Sequence, residues 1–252
     1  MNADAGNTTH WRRHLLAAAS APYRSAGRFA YHFARGKLGG DPVFVALLQH
    51  GLLPAQARVL DLGCGQGLLA AWLRAAERVH AAGPWPAQLP APPAACTYDG
   101  IELMPADVAR AHAALGAACG VRQGDIRSAG FGFADVVVIL DVLHYLEPDA
   151  QDDVLARVRA ALSPGGRLLL RVGDAGAGLP FRYSTWVDRL VTGARGHRIA
   201  QLHCRSCDAW IAHLQRLGFD VQAAPMSRGT AFANVLLMAT LPPPLQTAVS
   251  VP

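Results

Sequence analysis

The feature that most constrains this chain is residues 58–67, RVLDLGCGQG. Residues 58–62 form a short, mostly apolar run of strand length, bounded at once by glycine. Glycines at 63, 65 and 67 follow, and residues 68–78 then take up a helical pattern. A strand, a glycine-rich turn and a helix in direct succession make a ligand-binding device. Residues without Cβ let a ligand approach the backbone closely, and the first turn of a helix presents unpaired N–H groups. In an open α/β sheet this turn falls at the carboxyl end of a strand, where ligands are bound.

The rest of the chain repeats the rhythm. Residues 98–103, 121–123, 134–140 and 167–172 read as strands, and 106–115 and 149–162 as helices. The run at 134–140 (ADVVVIL) is apolar and β-branched, as in a strand buried on both faces. Ser163-Pro164-Gly165-Gly166 reads as a stop between helix and strand. Alternating strands and helices imply a mostly parallel sheet covered on both faces. Two further apolar strands, 219–224 and 232–239, lie close enough to pair antiparallel as a terminal hairpin. Residues 81–96 are rich in Pro and Ala and read as a surface insertion, either a lid over a site or an inert loop.

The amino-terminal part is a helical extension over residues 1–51, with the main domain at 52–242. Residues up to His10 read as unstructured. Residues 11–35 read as two amphipathic pieces separated at Pro22, residues 36–42 (GKLGGDP) as a turn, and 43–51 as a short apolar helix. Residues 176–217 form a second helical flank, basic over 181–200 and helical again at 207–217.

Composition narrows the class. The chain has 252 residues, 52% hydrophobic and 16% charged, which is enough to bury a core. Its net charge is +5, and Lys37 is the only lysine. Five cysteines do not form a disulfide framework at this length and read as reduced thiols in a cytoplasmic protein. Cys204 and Cys207, with His197 and His203 nearby, form a lone CxxC pair that is read as a helix start rather than a metal site. No apolar run approaches the length of a membrane span.

The glycine turn itself discriminates between cofactors. A dinucleotide fingerprint needs a small residue where Leu68 stands, and the Asp61 carboxylate would repel a pyrophosphate. A cofactor bearing a sulfonium and an ammonium group tolerates that carboxylate. The run VLDLGCGQG resembles the first motif of the Rossmann-like S-adenosylmethionine-dependent methyltransferases. The resemblance continues through Gly100-Ile101-Glu102-Leu103, Gln123-Gly124-Asp125-Ile126, Val138-Ile139-Leu140-Asp141 and Leu162-Ser163-Pro164-Gly165-Gly166-Arg167-Leu168, covering residues 57–175.

That resemblance implies a seven-stranded sheet with a carboxy-terminal antiparallel hairpin, and S-adenosylmethionine as cofactor. It implies a turn of Gly63, Cys64, Gly65 and Gly67 beneath the methionine part, with Asp61 supporting that turn or reaching the ammonium. Glu102 would take the ribose hydroxyls, with Leu103 beside it. Asp125 would accept from the adenine amino group and Ile126 would pack on the ring. Asp141 would face the methionine end, or else cap the following helix. Chemistry on an activated methyl needs alignment and exclusion of water. A hydroxyl or carbon acceptor also calls for a base, for which His144, Tyr145 and His32 (beside Tyr31) are the candidates.

The flanks FAYHFARGKLGGDP and FRYSTWVDRL resemble those of small bacterial methyltransferases encoded beside aryl-polyene pigment genes. The reading is then O- or C-methylation of an aromatic or polyene-type small molecule, free or held on an acidic carrier protein. Peripheral contact with anionic lipid through the helices near Arg12 and Arg189 is a further expectation. The alternatives are a non-catalytic binding module or partner subunit of the same fold, and a nicotinamide oxidoreductase. A nucleic-acid substrate is disfavoured, because the fourth strand ends in DVLHY rather than Asn/Asp-Pro-Pro-aromatic and no RNA-binding module is visible.

Overall fold

A computed structural model describes residues 2–83, 85–173, 202–226 and 234–243, with backbone only for residues 2–9. Seven strands form one sheet: β1 (Arg58–Leu62), β2 (Thr97–Glu102), β3 (Val121–Gln123), β4 (Ala134–Leu140), β5 (Leu162–Gly173), β6 (Asp220–Pro225) and β7 (Asn234–Thr240). Their order is β3-β2-β1-β4-β5-β7-β6. Strands β1 to β5 are parallel, while β7 runs antiparallel to both β5 and β6. The order reverses between β1 and β4, which opens a crevice at their carboxyl ends.

Helices cover both faces. They are α1 (Asn2–Ser20), α2 (Arg28–Gly40), α3 (Pro42–Gln49), α4 (Leu68–Ala81), α5 (Pro105–Leu115), α6 (Pro148–Ala161) and α7 (Cys207–Arg216). Side chains alternate along each central strand. Val59, Val136, Val138 and Leu169 join a core with α1 to α4, while Leu60, Val137, Ile139, Leu168 and Leu170 join one with α6 and α7. The same alternation sends Asp61 and Arg171 to the first face, toward α2 and α3.

The amino-terminal helices differ from expectation in two places. Helix α1 begins at Asn2 rather than after His10, because no proline interrupts the chain before Pro22 and Gly6 alone does not stop a helix. Helix α2 runs on to Gly40, so residues 36–40 are not a turn. The glycines there serve packing: a Cβ on Gly39 would lie 3.0 Å from Leu16 Cδ2, so its absence lets α1 and α2 approach closely. The helix ends only where Asp41, extended, caps α3 by accepting from Val43 N at 3.1 Å.

Residues 163–166 differ as well. They belong to β5 and form an irregularity in it: Leu162 pairs with Ala134, and pairing resumes at Arg167 opposite Val136. The Pro/Ala-rich segment is not a lid. It joins α4 to the amino end of β2, the opposite pole from the crevice. Trp85 packs edge-on against Trp11, with ring centroids 5.2 Å apart, and donates to Pro90 O at 3.0 Å. The expected basic helix at 181–200 lies outside the described residues, and α7 fits the helix expected at 207–217.

Candidate functional site

The glycine turn is built by close approach. Gly63 has φ +74°, and a Cβ there would collide with the Val142 side chain, so the turn at the end of β1 packs directly under the chain leaving β4. Gly63 N and Cys64 N both donate to Ile101 O, at 2.8 and 3.2 Å. Glu102 ends β2 and holds the turn from the other side. One carboxylate oxygen accepts from Gly65 N at 2.8 Å and the other from Met104 N at 2.9 Å. Each of those oxygens keeps a lone pair for a ligand.

Asp61 lies beneath the turn and is 4% exposed. The Tyr98 hydroxyl donates to its Oδ2 at 2.6 Å. Burial pushes the Asp61 carboxyl up to about 7, with Tyr98 pulling it back and Glu102 adding to the rise. Gln66, fully buried, joins the turn to the amino-terminal helices. Its side-chain Nε2 donates to Ala30 O at 3.0 Å, and its main-chain carbonyl accepts from the Tyr23 hydroxyl at 2.9 Å.

A cavity of about 470 Å³ opens over these groups. One end is lined by Glu102, the half-exposed Leu103, Asp125 and Ile126. Asp125 is held by Arg127, whose Nε donates to Oδ2 at 2.9 Å and whose backbone N donates to Oδ1 at 2.9 Å. Those bonds keep its carboxyl below the usual range. The other end is lined by Phe33, Lys37, Phe44, Leu140, Asp141, Val142, Tyr145 and Leu146.

Helix α2 supplies one wall through its spacing. Ala30, Ala34 and Leu38 are buried, Phe33 and Lys37 line the cavity, and Arg28, His32 and Arg35 face solvent. At the ends of β4 and β5 lies a charge cluster. Arg171, 1% exposed, donates through Nε to Asp141 Oδ1 at 2.8 Å, through Nη2 to Asp141 Oδ2, and through Nη1 to Asp41 Oδ1. Lys37 Nζ completes it at 2.8 Å from Asp41 Oδ2 and 3.3 Å from Asp141 Oδ2. Burial alone would raise the Asp141 carboxyl, but Arg171 and Lys37 hold it well below the usual range.

Of the residues expected at the site, Asp61, Gly63, Cys64, Gly65, Glu102, Leu103, Asp125, Ile126, Asp141 and Tyr145 line this one cavity. Gly67 does not. It precedes α4 with φ +76°, and a Cβ there would press on Leu115 and Val121 at 3.2 and 3.3 Å, so it serves packing. Asp141 faces the cluster rather than capping a helix; its φ is +61°. His144 is buried beneath Tyr145, ring centroids 4.1 Å apart, and is not part of the lining. His32 is exposed on the outer face of α2, so of the three proposed bases only Tyr145 reaches the cavity. Sequence reading missed Phe33, Lys37, Phe44, Gln66, Tyr98 and Arg171. Arg171 did leave a signal: a cation inside the buried run RLLLRV needs partners.

A mostly parallel sheet with a reversed last strand, a glycine turn after β1, an aspartate just inside the end of β1 and a glutamate ending β2 define the S-adenosylmethionine-dependent methyltransferase class. The family model described as methyltransferase domain matches residues 32–224, and the chain belongs to that family. Carboxy-S-adenosyl-L-methionine synthase of Chromohalobacter salexigens is 37% identical over 119 residues, which is 45% of this chain and 39% of that relative. The chain thus spans less than half the length of that curated relative.

Among solved structures, an O-methyltransferase family protein from Burkholderia thailandensis superposes with TM-score 0.59 and 20% identity, over 88% of this chain and 62% of that one. Magnesium protoporphyrin IX methyltransferase from Synechocystis, solved with bound SAH, gives TM-score 0.55 and 18% identity over 93% and 99%. At these identities the likeness is one of fold.

Proposed function

We propose that this methyltransferase uses S-adenosylmethionine to methylate an oxygen or carbon of a small aromatic or polyene-type molecule, free or held on an acidic carrier protein. The observation that carries the reading is the division of the cavity. One half is lined by Asp61, Glu102 and Asp125 at or just beyond the ends of β1, β2 and β3; the other is walled by Phe33, Phe44, Leu140, Val142 and Leu146.

The first half fits the cofactor. Glu102 has lone pairs left for a ribose diol, Leu103 and Ile126 offer apolar surface to a base, and Asp125 stands ready for an amino group. Leu68 and Leu69 begin α4, and the N–H groups of that first turn suit the cofactor's carboxylate. The cofactor supplies a methyl already activated by its sulfonium.

The chain's task is to align the acceptor and keep water out. Phe33 and Phe44 support this by walling the second half, and Tyr145, backed by His144, stands on the acceptor side. Asp141 is no base there, because its carboxyl is held ionised by Arg171 and Lys37. The flank resembling aryl-polyene methyltransferases, residues 29–42, forms the Phe33–Lys37 wall, which favours an acceptor of that kind. Contact with a membrane surface gains less support: the apolar side chains Trp11, Leu15 and Ala19 of α1 are buried against the protein. No helix among the described residues is long and apolar enough to cross a membrane.

The test is calorimetric titration with S-adenosylmethionine and its demethylated product. The expected result is micromolar binding, weakened by Glu102→Ala by about 1.5–3 kcal/mol, the scale of a hydrogen bond to a charged group. Absence of binding to the wild type would sink the reading.

A further inference from the structure

Lys37 holds an unusual place in the charge cluster. Its ammonium bonds to Asp41 and Asp141, yet both carboxylates also hold Arg171. Removing Lys37 from the set therefore leaves neither carboxylate without a cation. Arg171 is buried and fixed, whereas the Lys37 side chain is 36% exposed and lines the cavity. An ion pair that exposed contributes little, and an ammonium has three donors on a flexible stem. Lys37 can thus turn to a new anion while the buried pairs stay satisfied.

The neighbourhood indicates which anion. Phe33, Phe44, Tyr145 and Leu146 line the same end of the cavity, so an anion reaching Lys37 would arrive on an apolar or aromatic body. Among the described lining residues the other cation is Arg127, which Asp125 occupies at the opposite end. The cofactor's own carboxylate is provided for by the first turn of α4.

We propose that Lys37 is a specificity-determining residue that recognises an acidic oxygen, a carboxylate or an ionised phenol, on an aromatic or similarly apolar acceptor. The inference rests on the methyltransferase reading and narrows its acceptor to an anion. A nearby ammonium also favours the ionised form of such an oxygen, so recognition needs no histidine in the cavity.

The test uses the full chain saturated with S-adenosylhomocysteine, titrated with 4-hydroxycinnamate and, separately, with its neutral amide. The expected result is that the acid binds at least about tenfold more tightly than the amide, the scale of a charge-assisted hydrogen bond. Lys37→Met should abolish that preference while leaving the affinity for S-adenosylhomocysteine and the amide unchanged; Lys37→Arg should retain most of it. The proposal is overturned if the wild type fails to bind the acid or binds acid and amide alike, or if Lys37→Met leaves acid binding intact. Weaker S-adenosylhomocysteine binding in Lys37→Met would also overturn it, since Lys37 would then serve the cofactor. Failure of the wild type to bind S-adenosylhomocysteine at all would remove the methyltransferase reading itself. Unfolding temperatures of both variants, measured alongside, separate loss of recognition from loss of fold.

Discussion

Asp61 illustrates how a buried carboxylate at a cavity burdens the fold that carries it. Its carboxyl ionises near 3.8 in the unfolded chain and at about 7 in the folded protein. Between those values the folded state keeps a proton that the unfolded state has lost. Stability from this group therefore falls as pH rises through that window and stays at the lower level above it. Asp61→Asn removes the titration, and the amide oxygen still accepts from Tyr98. Thermal unfolding of the unliganded protein from about pH 4 to pH 8 should show the variant gaining on the wild type as pH rises. A constant difference across that range would refute the assignment. The same substitution should weaken binding of the cationic cofactor. The sequence displayed Asp61, because a carboxylate in an apolar strand before a glycine turn stands out. It could not display Tyr98, whose role depends on the register of β2 against β1, with Val59 opposite Tyr98 and Asp61 opposite Gly100.

At the level of elements, the ends of β4 and β5 are joined to the start of α3 by Arg171. Replacing it with Met would leave Asp41 and Asp141 with Lys37 alone. Loss of one partner of a buried pair costs about 3–5 kcal/mol. Denaturant unfolding of Arg171→Met should show a loss of that size, and adding Asp41→Asn with Asp141→Asn should recover much of it. If Arg171→Met is as stable as the wild type, the cluster holds nothing together. Strands β1 and β4 were legible in the sequence because burial on both faces leaves a continuous apolar run. Helix α2 was not legible beyond Arg35. Glycine usually ends a helix, and only the contact with Leu16, distant in sequence, makes Gly39 fit inside one. Residues 163–166 misled similarly, since a Pro-Gly-Gly run reads as a stop even where it forms an irregularity within a strand. The pole of the proline-rich segment could have been deduced, because a helix-to-strand connection in a parallel sheet returns to the amino end.

For the whole molecule, the amino-terminal helices belong to the core. Trp11, Leu15, Ala19 and Tyr23 are fully buried, and they pack with Trp72 and Leu69 of α4. Residues 5–40 carry six cations and no acid, against 23 and 18 in the full chain, so the whole of the net positive charge lies there and the remainder is close to neutral. Removing residues 1–35 should therefore impair folding rather than spare the cofactor site. The cleaner probe is Tyr23→Phe, which deletes one buried hydrogen bond to Gln66. It should cost about 1–3 kcal/mol of stability and weaken cofactor binding at temperatures where the variant is fully folded. Unchanged affinity there would confine Tyr23 to packing.

The bridge from Gln66 to Ala30 has a consequence in time. In the proposed assignment, helix α2 rests on the turn that receives the cofactor and walls the space that receives the acceptor. Cofactor in the turn is then expected to steady the wall before the acceptor arrives. Turnover should follow a compulsory sequence, cofactor on first and its demethylated form off last. Inhibition by an unreactive acceptor analogue would reveal it: the analogue should be competitive toward the acceptor and uncompetitive toward S-adenosylmethionine. Noncompetitive inhibition toward S-adenosylmethionine would mean that the two substrates enter independently of the bridge.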